Sequence, residues 1–311
     1  MATTETFRAY GFSAVGGPEN QLFLDLPIPA PGPAELLVEV RAAGINPADW
    51  KSRSGGPGPV PTEFPAVLGR EVSGVVRAVG QDVGDFAVGD EVFGSTAPGA
   101  GGYGEYSLLW AESSAKKPPQ VSWTDAAALP VAVCTAYDAI VSLGLPEGTT
   151  LLVNGIGGGV GVAAAQLARN GGVAVVGTAS EGKRELVESL GATLVGYGPG
   201  VAARVRELLP DGVDAVFDMV GGDALREVAT LVKDPADMIS IADKALVKEL
   251  GGRDVERRRT TRVYSEVAAL VADGSLSPHV IDVRPLDEAP QALAAVESGH
   301  AMGKVVLEIR A

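Results

Sequence analysis

The sequence LLVNGIGGGVGVAAAQLA, residues 151–168, indicates the fold class more strongly than any other segment of this chain. An apolar run enters a cluster of glycines and continues as an alanine-rich stretch, which predicts a buried strand, a tight turn and a helix. Glycines in such a turn let backbone N–H groups at the start of the helix approach a pyrophosphate. The common spacing G-x-G-x-x-G is met only in part, because Ile156 stands where the first glycine belongs. The glycines are instead spaced three apart, and we expect phosphate contacts from Gly155, Gly158, Gly159, Val160 and Gly161.

Further strand and helix segments alternate on the C-terminal side of this glycine loop. Short apolar runs at Val173–Thr178, Thr193–Tyr197, Asp214–Val220 and Asp237–Ala242 are separated by helical stretches such as Glu181–Leu190. Strands that are apolar on both faces and alternate with helices are typical of a parallel, doubly wound sheet. We therefore predict a Rossmann α/β domain, and this context favours nucleotide binding over a merely flexible loop.

The sequences on both sides of the α/β block have the residue pattern of a β domain. Runs rich in β-branched residues at Glu35–Ile45, Glu71–Gly80 and Asp90–Ser95 alternate with turns rich in glycine and proline, which predicts a sandwich or barrel. A helix near Ser265 and a final strand, Lys304–Ile309, follow the block. We expect one β domain built from both chain ends around an inserted nucleotide domain. The predicted segments are 1–124, 125–264 and 265–311.

Composition excludes several classes of partner. The chain has 39 acidic and 25 basic side chains and a formal net charge of −14, which disfavours binding to nucleic acid or to an anionic membrane. Cys134 is the sole cysteine, so neither an intramolecular disulfide nor a cysteine zinc cage can form. The N-terminal residues show no signal peptide, and no apolar stretch is a convincing membrane span. We expect a cytoplasmic protein.

The residues after the second strand of the block bear on the choice of dinucleotide. An NAD site usually places Asp or Glu there to hold the ribose 2′-OH. This chain has Thr178, Ala179 and Ser180 instead, followed by Lys183 and Arg184. Small hydroxyls and nearby cations suit a 2′-phosphate, so we predict NADPH, bound in part by Thr178, Ser180 and Lys183. The alternative is that the two cations only solvate a helix face, paired with Glu181, Glu185 or Glu188.

Several segments carry a family resemblance over nearly the whole chain. They include AAGINPADWK (Ala42–Lys51), FPAVLGREVSGVVRAVG (Phe64–Gly80), GDEVFG (Gly89–Gly94), GGYGEYSL (Gly101–Leu108), AAALPVAVCTAYDAI (Ala126–Ile140) and GKVVLEI (Gly303–Ile309). In this order they are similar to the medium-chain dehydrogenase/reductase superfamily, in its zinc-independent, quinone oxidoreductase-like (zeta-crystallin-type) branch. The resemblance implies a GroES-like β domain, a Rossmann domain, NADPH in a cleft between them, and a homodimer formed through the Rossmann sheet edge.

The resemblance also bears on metal binding. In zinc-dependent relatives the catalytic ligands would fall at Asn46, Arg70 and Val131, and none of these is a normal zinc ligand. We therefore predict an enzyme with no metal site. The basic run Arg257–Arg259 is expected to be solvated surface rather than a binding site.

Other site residues come from the resemblance alone. It places Asn46 beside the nicotinamide or the substrate oxygen, in a catalytic and cofactor-binding role; the alternative is a turn residue before Pro47. It implies further cofactor contacts from Thr135, Tyr197, the main chain of Ile241 and Ala242, and Lys304.

The predicted activity is hydride transfer from NADPH to a quinone or an α,β-unsaturated carbonyl compound. The proton donor stays open between Lys51, Tyr103 and solvent. Two other functions remain: an enoyl-thioester reductase, and a protein that binds NADPH as a structural or redox-sensing module without turnover.

Overall fold

A computed structural model describes residues 5–56, 61–299 and 301–310. Its strands are β1 (Thr6–Phe12), β2 (Gln21–Pro27), β3 (Glu35–Ile45), β4 (Ala66–Val67), β5 (Glu71–Val79), β6 (Glu91–Thr96), β7 (Tyr106–Lys116), β8 (Thr150–Asn154), β9 (Ala174–Ala179), β10 (Thr193–Gly196), β11 (Ala215–Asp218), β12 (Met238–Ser240), β13 (Val280–Pro285) and β14 (Lys304–Glu308). Its α-helices are α1 (Pro47–Arg53), α2 (Trp123–Ala127), α3 (Cys134–Leu143), α4 (Gly159–Asn170), α5 (Arg184–Ser189), α6 (Val201–Leu208), α7 (Gly222–Ala229), α8 (Lys244–Glu249), α9 (Thr261–Ala272) and α10 (Ala289–Glu297).

The chain divides into two compact units. Unit 1 comprises Met1–Val131, Arg259–Gly274 and Val280–Ala311, and unit 2 comprises Ala132–Arg258 and Ser275–His279. The boundaries inferred from the sequence, after residues 124 and 264, stay a prediction.

Unit 1 is built around the long strand β3. The main sheet has the order β13-β14-β3-β5-β6-β7, and the first half of β3 also pairs with β7, so that β3, β5, β6 and β7 close on themselves. The second half of β3 pairs antiparallel with β14, which brings the end of the chain into the same sheet. Closure removes exposed strand edges and encloses an apolar core that includes Leu36, Val38, Val72 and Leu109.

Unit 2 contains a fully parallel sheet in the order β10-β9-β8-β11-β12. The chain moves outward from β8 through β9 to β10 and then returns to the other side of β8, which creates a topological switch point between β8 and β11. The predicted α/β fold class, a GroES-like β domain plus a Rossmann domain, is confirmed. The helix expected over Glu181–Leu190 begins as a 3₁₀ turn, Glu181–Lys183, before α5.

The basic run before α9 lies at the surface and also contributes one ion pair to the fold. Asp138, which is buried in α3, accepts hydrogen bonds from the backbone N–H and the Nε of Arg258, at 2.7 and 3.0 Å. Nearby, the backbone of Arg253 bridges to β12, since its N–H donates to Met238 and its carbonyl accepts from Ser240. Arg258 and Arg259 are exposed, as expected for a surface run, and the Arg258 cation also neutralises a buried carboxylate.

Candidate functional site

The glycine loop of unit 2 joins β8 to α4 by a tight turn. Gly155 leaves β8 with a φ of +94°, a conformation that side chains rarely adopt. At Gly161 an added Cβ would lie 2.6 Å from the Cα of Ile156 and 2.7 Å from the carbonyl oxygen of Gly155. Gly158 forms the N-cap of α4, and the N–H groups of Gly159, Val160 and Gly161 belong to the turn whose donors a helix does not use itself. The loop therefore offers backbone donors at a helix N-terminus, as a pyrophosphate requires.

Four buried polar side chains form a row across the carboxyl ends of the parallel strands. This polar ladder consists of Thr178, Asn154, Asp218 and Ser240, each at most 2% exposed. The Thr178 hydroxyl donates to Asn154, the Asn154 amide donates to Asp218, and the Ser240 hydroxyl donates to Asp218, each at 2.6 Å. Only Thr178 had been singled out from the sequence.

The Thr178 side chain contacts the glycine loop and the polar ladder, whereas the sequence suggested a contact with a 2′-phosphate. Its hydroxyl oxygen also accepts a hydrogen bond from the N–H of Gly155 at 3.1 Å, and the side chain is 1% exposed. A buried hydroxyl that is engaged on both sides shapes the glycine loop and is not presented to a 2′-phosphate. The interpretation of Thr178 as a phosphate contact is therefore corrected to a supporting role, while Ser180 stays a partly exposed residue at the strand end.

Lys183 lies directly over the glycine loop. A Cβ added to Gly157 would be 2.3 Å from the Cδ of Lys183, and the ammonium donates to the carbonyl of Gly157 at 3.2 Å. Burial lowers the pKa of Lys183 below its usual range. Arg184 instead pairs with Glu181 and Glu188 at the surface, so the alternative of helix-face pairing holds for Arg184. Lys183 is the cation placed beside the phosphate loop.

Tyr197 follows β10 and is 67% exposed. Its N–H donates to the carbonyl of Ala179, which places it next to the end of β9 and Ser180. The guanidinium of Arg204 donates to the carbonyls of Gly196, Tyr197, Gly198 and Pro199, at 2.9 to 3.2 Å. Arg204 therefore fixes the loop that carries Tyr197, a role for which the sequence offered no signal beyond a cation four residues after a Gly-Pro-Gly turn.

The remaining predicted cofactor residues of unit 2 lie on two other elements. Thr135 is buried in the first turn of α3, directly after a π-helical turn, Leu129–Val133. The N–H of Ile241 donates to the main chain of Asp218, and the N–H of Ala242 donates to the hydroxyl of Ser240 at 3.2 Å. The structure thus brings Ile241 and Ala242 to the ladder, while contact of all three with a nicotinamide stays a prediction.

In unit 1, Asn46 belongs to a buried ionic cluster with Glu71 and Lys304. The Asn46 amide donates to Glu71 at 2.6 Å, and its oxygen accepts from the Lys304 ammonium at 2.8 Å. Lys304 also donates to Glu71 at 2.7 Å and to the carbonyl of Ile45 at 3.0 Å. Because these bonds use all three ammonium hydrogens, Lys304 orients Asn46 in this arrangement and has no donor left for a cofactor. Glu71, which the sequence did not single out, also accepts from the N–H of Val131.

Asp49 continues this cluster on the other side of Asn46. One carboxylate oxygen accepts from the N–H of Asn46 at 2.8 Å and from the hydroxyl of Tyr103 at 2.7 Å. The other oxygen lies 3.8 Å from the Nε of Arg70 and is buried without a hydrogen bond. Burial raises the pKa of Asp49 to about 6, and burial together with Asp49 raises the pKa of Tyr103 well above its usual value. Asp49 thus fixes the Asn46 loop, as the sequence suggested.

The raised pKa of Asp49 predicts a pH dependence of stability. The folded state binds the Asp49 proton more tightly than the unfolded state, so stability falls as pH rises from about 4 through about 6. Relative to Asp49→Asn, the wild type should lose about 2 kcal/mol of unfolding free energy between pH 4 and pH 7, since a tenfold change in proton affinity is about 1.4 kcal/mol. Urea denaturation of both proteins from pH 4 to pH 7 measures the difference. A difference that does not vary with pH would contradict the shift.

The residues at the zinc-ligand positions of zinc-dependent relatives do not fit a metal. Asn46 is held by Glu71 and Lys304, Arg70 contributes a cation that pairs with Asp49, and Val131 offers only a backbone N–H, which Glu71 accepts. Among the residues that the structure describes, no group of three or more His, Cys, Asp or Glu side chains is placed to hold a metal ion. Within the same residues, no helix combines the length and apolar character needed to cross a membrane.

Comparisons with known proteins match segments of this chain to two dehydrogenase family models. Residues 32–119 match the family model of the alcohol dehydrogenase GroES-like domain, and residues 190–307 match the family model named zinc-binding dehydrogenase. A quinone oxidoreductase from Lama guanicoe is 31% identical, with 100% of both chains covered. The chloroplastic NADPH-dependent alkenal/one oxidoreductase of Arabidopsis thaliana is 32% identical over 96% of this chain and 79% of its own.

A solved structure supports the same assignment. The quinone oxidoreductase from Coxiella burnetii superimposes with a TM-score of 0.87 at 28% identity, covering 98% of this chain and 100% of its own. The chain is therefore an oxidoreductase that belongs to the medium-chain dehydrogenase/reductase superfamily, in its quinone oxidoreductase-like branch.

Proposed function

We propose that this oxidoreductase uses NADPH to reduce a quinone or an α,β-unsaturated carbonyl compound, without zinc. The observation that carries the proposal is the end of β9, where residues 178–180 include no carboxylate and Lys183 covers the glycine loop. The first acid after the strand, Glu181, pairs with Arg184. A carboxylate there would hold a ribose 2′-OH and repel a 2′-phosphate, whereas an ammonium attracts the phosphate. The names of the relatives, a quinone oxidoreductase and an NADPH-dependent alkenal/one oxidoreductase, support the same class.

Residues of unit 2 would hold the cofactor. The glycine loop and the start of α4 would bind the pyrophosphate, and Ser180, Lys183 and Tyr197 would surround the 2′-phosphate. Thr135 and the main chain of Ile241 and Ala242 would contact the nicotinamide half. NADPH supplies the hydride when it is bound. A homodimer and a cytoplasmic location are part of this proposal and rest on the resemblance and the composition.

Asn46 is the residue of unit 1 that we propose for the polar contact to the nicotinamide or to the substrate oxygen. Its amide is oriented by Glu71 on one side and by Lys304 on the other, and one amide hydrogen is left after the bond to Glu71. An amide donates without changing its charge with pH, which suits stabilisation of a developing oxyanion. Lys304 serves this role as a positioning residue.

A panel of acceptors tests the proposed function. NADPH and NADH oxidation are followed with quinones, α,β-unsaturated ketones and enoyl thioesters, and kcat/KM should be highest for NADPH with one of the first two classes. Lys183→Ala should lower kcat/KM for NADPH about 10- to 100-fold and leave that for NADH nearly unchanged, because a charge-assisted hydrogen bond contributes about 1.5–3 kcal/mol. Arg184→Ala, which removes the neighbouring surface cation, is the matched control and should change neither by more than about twofold.

Each other outcome has a definite meaning. A lack of turnover with every acceptor would exclude the reductase, and higher activity with NADH would exclude the cofactor assignment. Preference for the enoyl thioesters would replace the proposed substrate class with that of an acyl-thioester reductase.

A further inference from the structure

The polar ladder aligns four strands at one level. Asn154 pairs in register with Thr178 on one side and with Asp218 on the other, and Asp218 pairs in register with Ser240. The side chains therefore stand side by side across β9, β8, β11 and β12 at or next to the last residue of each strand. In a doubly wound sheet this is the edge over which a dinucleotide lies, with its adenosine half towards β9 and its nicotinamide half towards β12.

The direction of the hydrogen bonds is fixed by Asp218, which accepts only. Both hydroxyl protons and one amide proton of the ladder point along the chain of bonds towards its carboxylate. The hydroxyl oxygens of Thr178 and Ser240 are thereby left as acceptors for backbone N–H groups. The hydrogen bonds converge on Asp218 from both sides, and each loop above the ladder meets an acceptor.

Each loop at this edge uses such an acceptor. The N–H of Gly155 in the glycine loop donates to the hydroxyl of Thr178 at 3.1 Å and is shared with the Thr178 carbonyl at 3.2 Å. The loop after β11 is held through the N–H groups of Val220 and Gly221 on Asp218, at 3.1 and 3.0 Å. The loop after β12 is held through the N–H groups of Ala242 and Asp243 on Ser240, at 3.2 and 3.1 Å. Two of these residues are glycines at positive φ, Gly155 at +94° and Gly221 at +78°. The ladder therefore holds these loops in backbone conformations that residues other than glycine rarely adopt.

Stability alone does not explain this arrangement. A buried carboxylate and three buried polar groups lose their hydration on folding, and apolar side chains of similar size commonly stabilise a core as well or better. Apolar side chains cannot accept the N–H groups of three loops. The ladder thus provides a loop geometry that an apolar core would lack.

We propose that the polar ladder couples the two halves of the dinucleotide site, so that its four side chains act as positioning residues for the whole cofactor. The inference rests on the proposed function. Asn154 is the side-chain link between the Thr178 end, which holds the glycine loop, and the Asp218–Ser240 end, which holds the loops after β11 and β12. A change at one end therefore alters ligand binding at the other end, three strands away.

Fragment binding tests the coupling without turnover. The fragment 2′,5′-ADP carries the adenosine and 2′-phosphate but cannot reach the loop after β12, and its Kd is measured by calorimetry beside that of NADPH. Ser240→Ala removes the far end of the ladder and should weaken 2′,5′-ADP about five- to tenfold, the lower range of measured coupling between sites. Leu152→Val, in the same sheet but outside the ladder, is the control for general destabilisation and should leave the Kd unchanged within about twofold.

A second variant tests whether a change at the glycine-loop end of the ladder affects the nicotinamide end. Thr178→Val is nearly isosteric and removes the glycine-loop end of the ladder. It should lower kcat as well as raise KM for NADPH, because a misplaced nicotinamide slows hydride transfer. A rise in KM alone, an unchanged Kd of 2′,5′-ADP in Ser240→Ala, or an equal weakening in Leu152→Val would each overturn the coupling. Failure of the wild type to bind 2′,5′-ADP or NADPH would instead overturn the proposed function.

Discussion

Lys304→Met is expected to remove about 3–5 kcal/mol from the free energy of unfolding of unit 1, the cost of leaving a buried charge without its partner. Glu71 is fully buried, and the Lys304 ammonium 2.7 Å away is its cationic partner. Methionine has a similar length but no charge, so the carboxylate would keep only the neutral donors of Asn46 and Val131. Domains are stable by about 5–15 kcal/mol in total, so this loss is a large fraction.

The double variant Lys304→Met with Glu71→Gln separates charge from packing. Glutamine keeps the shape and an acceptor oxygen but removes the charge, and it should recover about 2 kcal/mol of the loss. Urea unfolding of the wild type, both single variants and the double variant gives the coupling energy. If the double variant is as unstable as the sum of the two single variants, the pair makes no net interaction and the expectation is wrong.

Gly161→Ala is expected to weaken NADPH binding on the order of 100-fold, or about 2.7 kcal/mol. The new Cβ would lie 2.6–2.7 Å from three backbone atoms of Gly155 and Ile156. Backbone cannot rotate away as a side chain can, so the glycine loop must move off the start of α4. The donors that face the pyrophosphate would then be displaced. Fluorescence or calorimetric titration with NADPH measures the change.

A second glycine of the same helix supplies the control. Gly171 caps the other end of α4, and its added Cβ would meet no atom closer than 3.4 Å. Gly171→Ala should therefore keep the NADPH affinity of the wild type within about twofold, and the fold of both variants is checked by circular dichroism. Equal affinities in the two variants would show that close packing at Gly161 is not needed for binding.

The sequence predicted those features that local pattern controls. The run Glu35–Ile45 forms β3 with the same bounds, because eleven residues of β-rich, apolar sequence between turn formers leave few alternatives. The glycine loop was placed between a strand and a helix for the same reason. Lys183 lies over the glycine loop because only a few residues separate it from the end of the second strand, while its contact with a phosphate stays a prediction.

Features that depend on pairing between distant residues could not be predicted. Asp218 and Ser240 each look like the polar end of a short strand, and only the register of the parallel sheet places them beside Asn154. The pairs Glu71–Lys304 and Asp138–Arg258 join residues 233 and 120 positions apart. A usable signal existed for the ladder, since polar residues recur at the ends of four otherwise apolar strands. For the two ion pairs, the charge and the type of the residues do not indicate which distant positions of the chain lie next to each other.

The return of the chain end to the sheet of unit 1 has a consequence for synthesis. Translation releases β3 and β5 early, while β14, which pairs with β3 and carries Lys304, leaves the ribosome after all of the main sheet of unit 2. Domains generally fold as they emerge from the ribosome. Unit 2 can therefore reach its native state while unit 1, whose segments precede and follow it along the chain, is incomplete. Until β14 has been synthesised, Glu71 lacks the Lys304 ammonium with which it pairs in the core. The buried Glu71–Lys304 pair of the β domain can therefore form only after unit 2 has been synthesised.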